Sequence, residues 1–389
     1  MLDSIYIGTT GLTSFSEGLS NISNNVANLN TPGFKGSQLE FLDLFYRHQY
    51  SGTMSSQGSG VETGATVLDF SDGEFRQNGN DLNAAIDGNG FFVLRKDGEI
   101  YYTRAGQFEI DEDGFLIAST DGARVAGLQG NALADISVAG KRSNPPKATQ
   151  LLNFANTLST TSSTFDVQNI TVFDSLGGEH TLTLKLTNDS ANTPGRWTFE
   201  LKENGNTLSS GEIKYSGDGS PIAGSEKHSF SYAPGSGAQP TQLTLDFSDS
   251  TYFSAAASTL KVAKQDGYAA GFLSGVALDS EGKLVLSYSN GQTLKDDRLA
   301  LAWFDNLAAL QSQGGNRYAV YGETSRILGQ PGTNGMGKLQ TGGIELSNVD
   351  LAKEFSELIL LQRGYQASSQ VITTANEMIQ QLGEIRGRR

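Results

Sequence analysis

At 389 residues the chain exceeds a usual single domain, so two or three are expected. Forty-seven glycines, 37% hydrophobic and 18% charged residues give the profile of a loop-rich β protein with polar surfaces. A net charge of −14 argues against nucleic acid and against anionic membranes, and the lack of cysteine excludes disulfides, thiolate metal sites and cysteine nucleophiles. No positive n-region marks a signal peptide, Lys35 being the first basic residue, and no apolar run could span a membrane. Those absences alone suggest a cytoplasmic protein.

Residues 2–29 read as a long amphipathic helix. Ile5, Leu12, Leu19 and Val26 recur every seven residues, and Gly8, Phe15, Ile22 and Leu29 fall three later. That is an a/d seam over about four heptads, about 40 Å of helix. On the opposite face Asn21, Asn24, Asn25 and Asn28 follow i, i+3, i+4, i+7 spacing, with Ser20 and Ser23 beside them. Asparagine is a mediocre helix former, and a solvent face normally carries Lys and Glu. The stripe therefore suggests a contact surface or a hydrated, uncharged one. Asn30-Thr31-Pro32-Gly33 should end the helix, because Pro32 disfavours helix at Thr31 and Gly33 supplies a turn. Residues 31–70, with Gly52, Gly58, Gly60 and Gly64, read as an elbow or a plain linker.

The middle of the chain has β character. Asp87-Gly88, Asp97-Gly98, Asp113-Gly114 and Asp121-Gly122 separate short apolar runs, a hairpin signal. Pro145-Pro146 breaks this pattern, and six of the eight prolines lie between 145 and 240. Residues 148–264 read as a separate module with alternating strands such as 181–186. After Gly267 the earlier style returns, with turns at Glu281-Gly282 and Asn290-Gly291. The simplest account is nesting: an inserted β domain, 148–264, lies within an outer β domain, 71–147 with 265–346. The fold class is mainly β with long terminal α-helices, residues 1–30 and 347–389 forming a helical domain whose two ends pair.

The last segment, 349–382, is the second long helix. Leu351, Leu358, Tyr365, Ile372 and Ile379 form one row; Leu361, Ala375 and Leu382 form the adjoining one, and Phe355 joins the apolar set. Asn348 or Ser347 can cap its start, Asp350 and Glu354 suit its first turn, and Arg386, Arg388 and Arg389 suit its end. Charge is uneven: residues 1–31 carry −2, residues 347–389 carry 0, and residues 32–346 carry the remaining −12. Pattern alone also allows two surface helices of an ordinary domain.

Catalytic chemistry finds no foothold. His48, His180 and His228 are scattered without ligand spacing, so no metal site and no cofactor are expected. Asp111, Asp113 and Gly114 faintly suggest a calcium loop but lack the remaining ligands, and read as a turn. No Ser/His/Asp arrangement stands out. Trp197 and Trp303 sit in apolar strand contexts and read as core.

Three stretches resemble a known family. Ser23 to Asn28 followed by Asn30-Thr31-Pro32-Gly33-Phe34-Lys35 is similar to the N-terminal signature of bacterial flagellar rod and hook subunits. Tyr102-Thr103-Arg104-Ala105-Gly106 with Asp111 to Leu116 resembles a second family motif. Ser347 to Leu351, then Gln362 to Ala367 with Asn376-Glu377, resembles the C-terminal signature. The inserted module, with Val172 to Gly177, and the run Tyr288 to Gln292 before Leu299 to Ala302 are closer to hook members than to shorter distal-rod ones. The basic finish, Arg386 to Arg389, departs from the family's short end.

The resemblance implies a homopolymer: subunits stack helically into a curved tube, terminal helices innermost and β domains outside. The tube passes motor torque to the filament and leaves a central export channel. It further implies contact with distal-rod, hook-cap and hook–filament junction proteins and with the export apparatus, and export to the extracellular flagellum without a cleaved signal peptide. Neither nucleic-acid binding nor membrane insertion is implied. Assembly residues on the first helix would be Ile5, Leu12, Phe15, Leu19, Ile22, Asn24, Asn25, Val26, Asn28 and Leu29. On the second they would be Leu351, Phe355, Leu358, Leu361, Tyr365, Ile372, Ile379 and Leu382. A straight distal-rod-like subunit is the alternative. A third reading, a secreted β-rich glycan-binding protein or hydrolase, would need paired carboxylates in a cleft.

Overall fold

The computed structural model describes residues 2–44, 47–49, 55–130, 132–235 and 237–387. Gly52, Arg388 and Arg389 lie outside the described residues, as do the side chains of His48 and Arg386. The chain divides into two compact units. One comprises Met1–Ala139, Val276–Val285 and Lys295–Arg389; the other comprises Gly140–Gly275 and Leu286–Leu294.

The first unit holds both terminal helices, α1 (Leu2–Ala27) and α2 (Leu351–Gly387). Helix α1 ends where expected. Gly33 takes φ +68°, and a Cβ there would lie 2.5 Å from the Ala105 nitrogen, so only glycine fits the turn. The cap of α2 differs from expectation. Asp350, not Ser347 or Asn348, accepts from the Ala352 and Lys353 amides at 2.8 and 3.3 Å. Asn348 is drawn away because its side chain bridges two other segments, at Gly36 and at Asp69 to Ser71.

Residues 31–70, expected as an elbow or linker, form a ribbon instead. Ser37–Asp43 pairs antiparallel with Val61–Leu68, and Arg47–Gln49 with Ser55–Gln57. The ribbon lies along α1. The Val61 amide donates to Thr10 Oγ1, Thr63 Oγ1 donates to Glu17, and the Phe41 and Phe15 rings are 6.0 Å apart.

The β body of this unit is a ten-stranded sheet whose main path runs Leu310–Ser312, Arg317–Val320, Glu99–Thr103, Phe91–Lys96, Arg124–Gln129, Leu116–Ala118 and Phe108–Ile110. Its aromatic core is set edge to face: Phe70 against Phe91 at 5.3 Å, Tyr102 against Phe304 at 4.8 Å. Each such pair contributes about 0.5–1.5 kcal/mol beyond burial. Three of the four Asp-Gly dipeptides close hairpins. Asp97 and Gly98, at φ 53° and 85°, join Lys96 to Glu99 as a two-residue turn. Asp87-Gly88 does not, because Ala84–Asp87 pairs instead with Lys338–Thr341, far along the chain.

The second unit contains two four-stranded sheets. One is Lys227–Tyr232, Thr241–Phe253, Leu151–Ser159 and Lys261–Gln265; the other is Thr164–Phe173, Glu179–Asn188, Arg196–Glu203 and Asn206–Lys214. Leu151–Ser159 and Thr241–Phe253 run parallel, a pairing that turn signals cannot announce. Leu152, Phe154, Leu184, Trp197, Phe199, Leu245 and Phe247 fill the core between the sheets. Trp197 is fully buried; Trp303, in the first unit, is half-buried. Phe199 packs on Phe247 at 5.6 Å and on His228 at 4.8 Å. Phe199→Ala should cost about 3–5 kcal/mol in urea unfolding. A loss below about 1 kcal/mol would contradict this packing.

Candidate assembly surface

Helices α1 and α2 pack antiparallel in one constant register. An added Cβ at Gly8 would lie 2.7 Å from Ile372, at Gly11 2.9 Å from Ser368, and at Gly18 2.8 Å from Leu361. Across the seam, a Cβ on Gly364 would enter the Phe15 ring at 2.6 Å. The glycines thus form holes that Ile372, Leu361 and Phe15 fill as knobs. At the far end Asn25 meets Glu354. Continued in this register, Leu2 falls opposite about Glu377, so roughly ten residues of α2 run on past α1.

The expected residues divide accordingly. Ile22 is buried in the seam, and Phe15, Leu358, Leu361 and Ile372 are half-buried. Ile5, Leu12, Leu19, Val26 and Leu29 are half-buried. Leu351, Phe355, Tyr365, Ile379 and Leu382 are exposed, as are Ile359, Leu360, Val371 and Met378. The buried rows are Gly11, Gly18 and Asn25 on α1, and Glu354 and Ala375 with the half-buried Leu361 and Ser368 on α2. Apolar periodicity finds Leu361 and Ala375, and the asparagine stripe includes Asn25. Sequence reading misses Gly11, Gly18, Glu354 and Ser368 as contact residues because they are small or polar; the 11, 18, 25 spacing was the available signal.

The asparagine stripe also divides. Asn25 is only 2% exposed: its amide donates to the Ser37 carbonyl (2.8 Å) and Glu354 Oε1 (3.1 Å), and its oxygen accepts from the Ser37 amide (3.0 Å). Asn21 donates to Ser37 Oγ at 2.8 Å. Asn24 is exposed, and Asn28 donates back to it. Asn25 and Asn21 therefore fasten the ribbon to the helices, and only Asn24 and Asn28 leave a polar outer face.

Glu354 is 7% exposed, and its Oε2 is buried without a hydrogen-bond partner in the protein. Burial raises its pKa above the usual carboxylate range; Glu357 and Asp350 add to the rise, while the Asn25 bond and Lys353 oppose it. Beside it α1, the ribbon and α2 enclose a groove of about 280 Å³ lined by Ile22, Leu39, Phe41, Leu360 and Leu361.

Where the helices meet the β body, the three motif stretches converge. Lys35 Nζ donates to Glu345 Oε1 (2.5 Å) and to the Ser71 carbonyl (2.6 Å). Glu345 Oε1 also accepts from the Gly73 amide, and the Glu345 carbonyl from the Gly33 amide, both at 2.9 Å. Arg104 pairs with Asp72 at 3.0 Å and stands 3.8 Å from Glu345 Oε2. Burial pulls the Lys35 pKa below the usual lysine range, against the attraction of Glu345. Asn348 accepts from the Gly36 amide and donates to the Asp69 carbonyl and to Ser71. Sequence reading picked out Lys35 and Arg104 as motif members and missed Glu345 and Asp72, whose partners lie hundreds of residues away or in an irregular loop.

In the second unit His180 is held by Glu203 at Nδ1 (2.9 Å) and Asp174 at Nε2 (3.2 Å), with Tyr232 donating to Glu203. Both ring nitrogens are occupied. Among the described residues no cluster of His, Asp and Glu could hold a metal, and no helix is long and apolar enough to cross a membrane.

Comparison with known proteins agrees along the whole chain. Residues 5–35 match the family of flagella basal body rod proteins, and 340–385 the C-terminal family of flagellar basal body rod FlgEFG proteins. Residues 85–171 match the D1 domain of flagellar hook protein FlgE/F/G, and 140–268 the D2 domain of flagellar basal body protein FlaE. Flagellar hook protein FlgE of Escherichia coli K12 is 30% identical, over 97% of this chain and 98% of that protein. Flagellar hook protein FlgE of Borreliella burgdorferi is 27% identical over 98% of this chain and 99% of that protein. The crystal structure of Helicobacter pylori flagellar hook protein FlgE2 shares the fold, with a TM-score of 0.51 at 14% identity; the match covers 68% of this chain and 99% of that one.

Two outcomes follow from the seam. Gly364→Ala should cost the helix pair about 1–3 kcal/mol, read as faster amide exchange in α1 and α2 with the β body unchanged; unaltered exchange would refute the register. Glu354 binds its proton more tightly folded than unfolded, so its stabilisation is present below the unfolded value of 4.5 and is lost as pH rises through the folded value. Glu354→Gln should therefore raise the melting temperature at pH 7, and the gap to wild type should close toward pH 4. A variant less stable at pH 7 would count against an unpaired carboxylate.

Proposed function

The chain belongs to the flagellar hook protein family, the structural subunits of the bacterial flagellar hook, and from that premise we propose that its two terminal helices are the surface through which copies polymerise. Hook proteins self-assemble and form part of the extracellular flagellum. The observation that carries the proposal is the apolar exposure of α2, on its outer faces and on the turns that run past α1. Leu351, Phe355, Ile359, Leu360, Val371, Met378, Ile379 and Leu382 are each at least 37% exposed. An apolar surface that large is rare on a free-standing molecule and marks one completed by association.

The paired helices, residues 1–30 with 347–389, line the tube. Asn24 and Asn28 give it a neutral, hydrated face to which exported chains do not adhere. The ribbon within 31–70 braces the pair, and the β domains, 71–147 with 265–346 and 148–264, form the outer layers of the tube. Weak, polar contacts between β domains let neighbours slide, so the tube bends while carrying torque. Its ends meet distal-rod, hook-cap and hook–filament junction proteins, and the chain leaves through the export apparatus without a cleaved signal peptide. Its role in this reading is structural.

Concentrated full-length protein should form curved tubes by electron microscopy, whereas a chain lacking residues 1–30 should sediment as a monomer with its β domains intact. Tubes from the truncated chain would overturn the proposal; straight rods from the full chain would favour a distal-rod role. Asn24→Leu should leave the subunit folded yet stop filament growth beyond the hook, while normal filaments would reject the hydrated-face reading.

A further inference from the structure

We propose that Lys35, Glu345, Arg104 and Asp72 form a positioning site that fixes the direction in which the helix pair leaves the β body of its unit, and so fixes the geometry in which copies stack. The stacking half of this rests on the reading of the chain as a hook subunit; the directional half does not.

The chain enters and leaves the helix pair at two places, after Ala27 and before Leu351. Both passages are tied at this cluster. Lys35 lies on the outgoing segment and Glu345 ends the incoming strand Gly343–Glu345. Their side chains meet at 2.5 Å although 310 residues separate them. A third segment is bound in as well: Lys35 holds the Ser71 carbonyl, Glu345 holds the Gly73 amide, and Asn348 spans Gly36, Asp69 and Ser71. Arg104 anchors the assembly to the sheet. It pairs with Asp72, donates to the Ile86 carbonyl at 3.4 Å, and lies 5.2 Å over the Phe91 ring, itself part of the aromatic core.

The choice of residues argues for direction rather than strength. Lys35 and Glu345 are 0% and 2% exposed at the side chain, and Arg104 is 3%. Burying such ions recovers little net stability, and an apolar plug of equal volume would often hold the segments as firmly. The cluster even leaves Arg104 Nε and Glu345 Oε2 buried without hydrogen bonds. An apolar plug, however, is non-directional, so packed segments could pivot on it. Hydrogen bonds within an ion cluster lose strength steeply with angle. Two cations and two carboxylates also balance, so the site has no net charge to draw in solvent.

The chain lacks cysteine, so a pair of spin labels can be placed with no native thiol to remove. Ser16→Cys on α1 and Gln311→Cys on the sheet put both on exposed positions of this unit. The full-length protein should give one narrow label–label distance. In Lys35→Met/Glu345→Gln, which removes both charges of the central pair, the distribution should widen at least twofold while circular dichroism stays native. Seeded tube growth should fall at least tenfold. Asp72→Asn, at the half-exposed edge of the cluster, should widen the distribution in the same direction and serves if the double variant fails to fold. An unchanged width in the folded variants overturns the proposal, as does normal tube growth with an unchanged helical repeat despite widening. Failure of the unsubstituted protein to form tubes would sink the hook reading and the stacking half with it, leaving the label distances to judge the directional half separately.

Discussion

Glycine at Gly8, Gly11, Gly18 and Gly364 lets the two helices approach closely enough for Ile372, Leu361 and Phe15 to lock as knobs. A leucine-lined seam of this length would tolerate shifts by a turn, because one leucine hole resembles the next. Holes of unequal depth do not: Phe15 fits where Gly364 is, and Asn25 finds Glu354 only in the same register. Asn25 and Glu354 are 329 residues apart, and closing so long a loop carries an entropy that the seam alone would have to offset. The β body spans most of that separation, holding residues 28–37 and 345–350 together so that the helices pair at little further cost. The body is therefore the scaffold that makes the terminal pair a local contact.

Much of this was legible in the sequence, for identifiable reasons. The helices announced themselves through seven-residue spacing, and the hairpin at Asp97-Gly98 through a dipeptide whose two positive φ values few other residues adopt. The failures share one cause. Asp87-Gly88 suggested a hairpin, but Ala84–Asp87 found a better partner at 338–341. Residues 31–70 looked like a linker because glycine and serine dilute their apolar pattern; one wall of the ribbon is supplied by α1, which no local window contains. Asn348 looked like a helix cap, and Asp350 took that role because Asn348 is bound to Gly36, Asp69 and Ser71. In each case a long-range partner outbid a local preference.

The same limit applies to the site. Periodicity located the helices but assigned their inward faces by hydrophobicity alone, and so gave Ile5, Leu12, Leu19 and Val26 equal weight with Phe15 and Ile22. The inward rows include Asn25, Glu354 and Ser368, which hydropathy scores as outward. Asn25 shows why a polar residue belongs there: it satisfies the Ser37 backbone on both its donor and acceptor sides, where an apolar side chain would leave an amide and a carbonyl buried and unpaired. The seam is thus polar where it meets the ribbon and glycine-lined elsewhere. Leu351, Phe355, Ile359, Leu360 and Val371 are left exposed on the outer faces of α2.

Charge completes the division of labour. Residues 32–346 carry −12 while the two terminal stretches carry −2 and 0, so copies meeting body to body repel and copies meeting helix to helix do not. Repulsion between bodies is screened over about 10 Å at ordinary ionic strength. It therefore weakens broad, unspecific clumping far more than it opposes contacts already made between apolar helices. On the proposal that copies join through their terminal helices, the salt-tolerant attraction sits mainly there, while the contacts between bodies stay weak and carry a soft, salt-sensitive repulsion. Bending a tube shortens one side and lengthens the other. Under that proposal, soft repulsion between β bodies resists the deformation gently, and the helix contacts need not be broken to allow it.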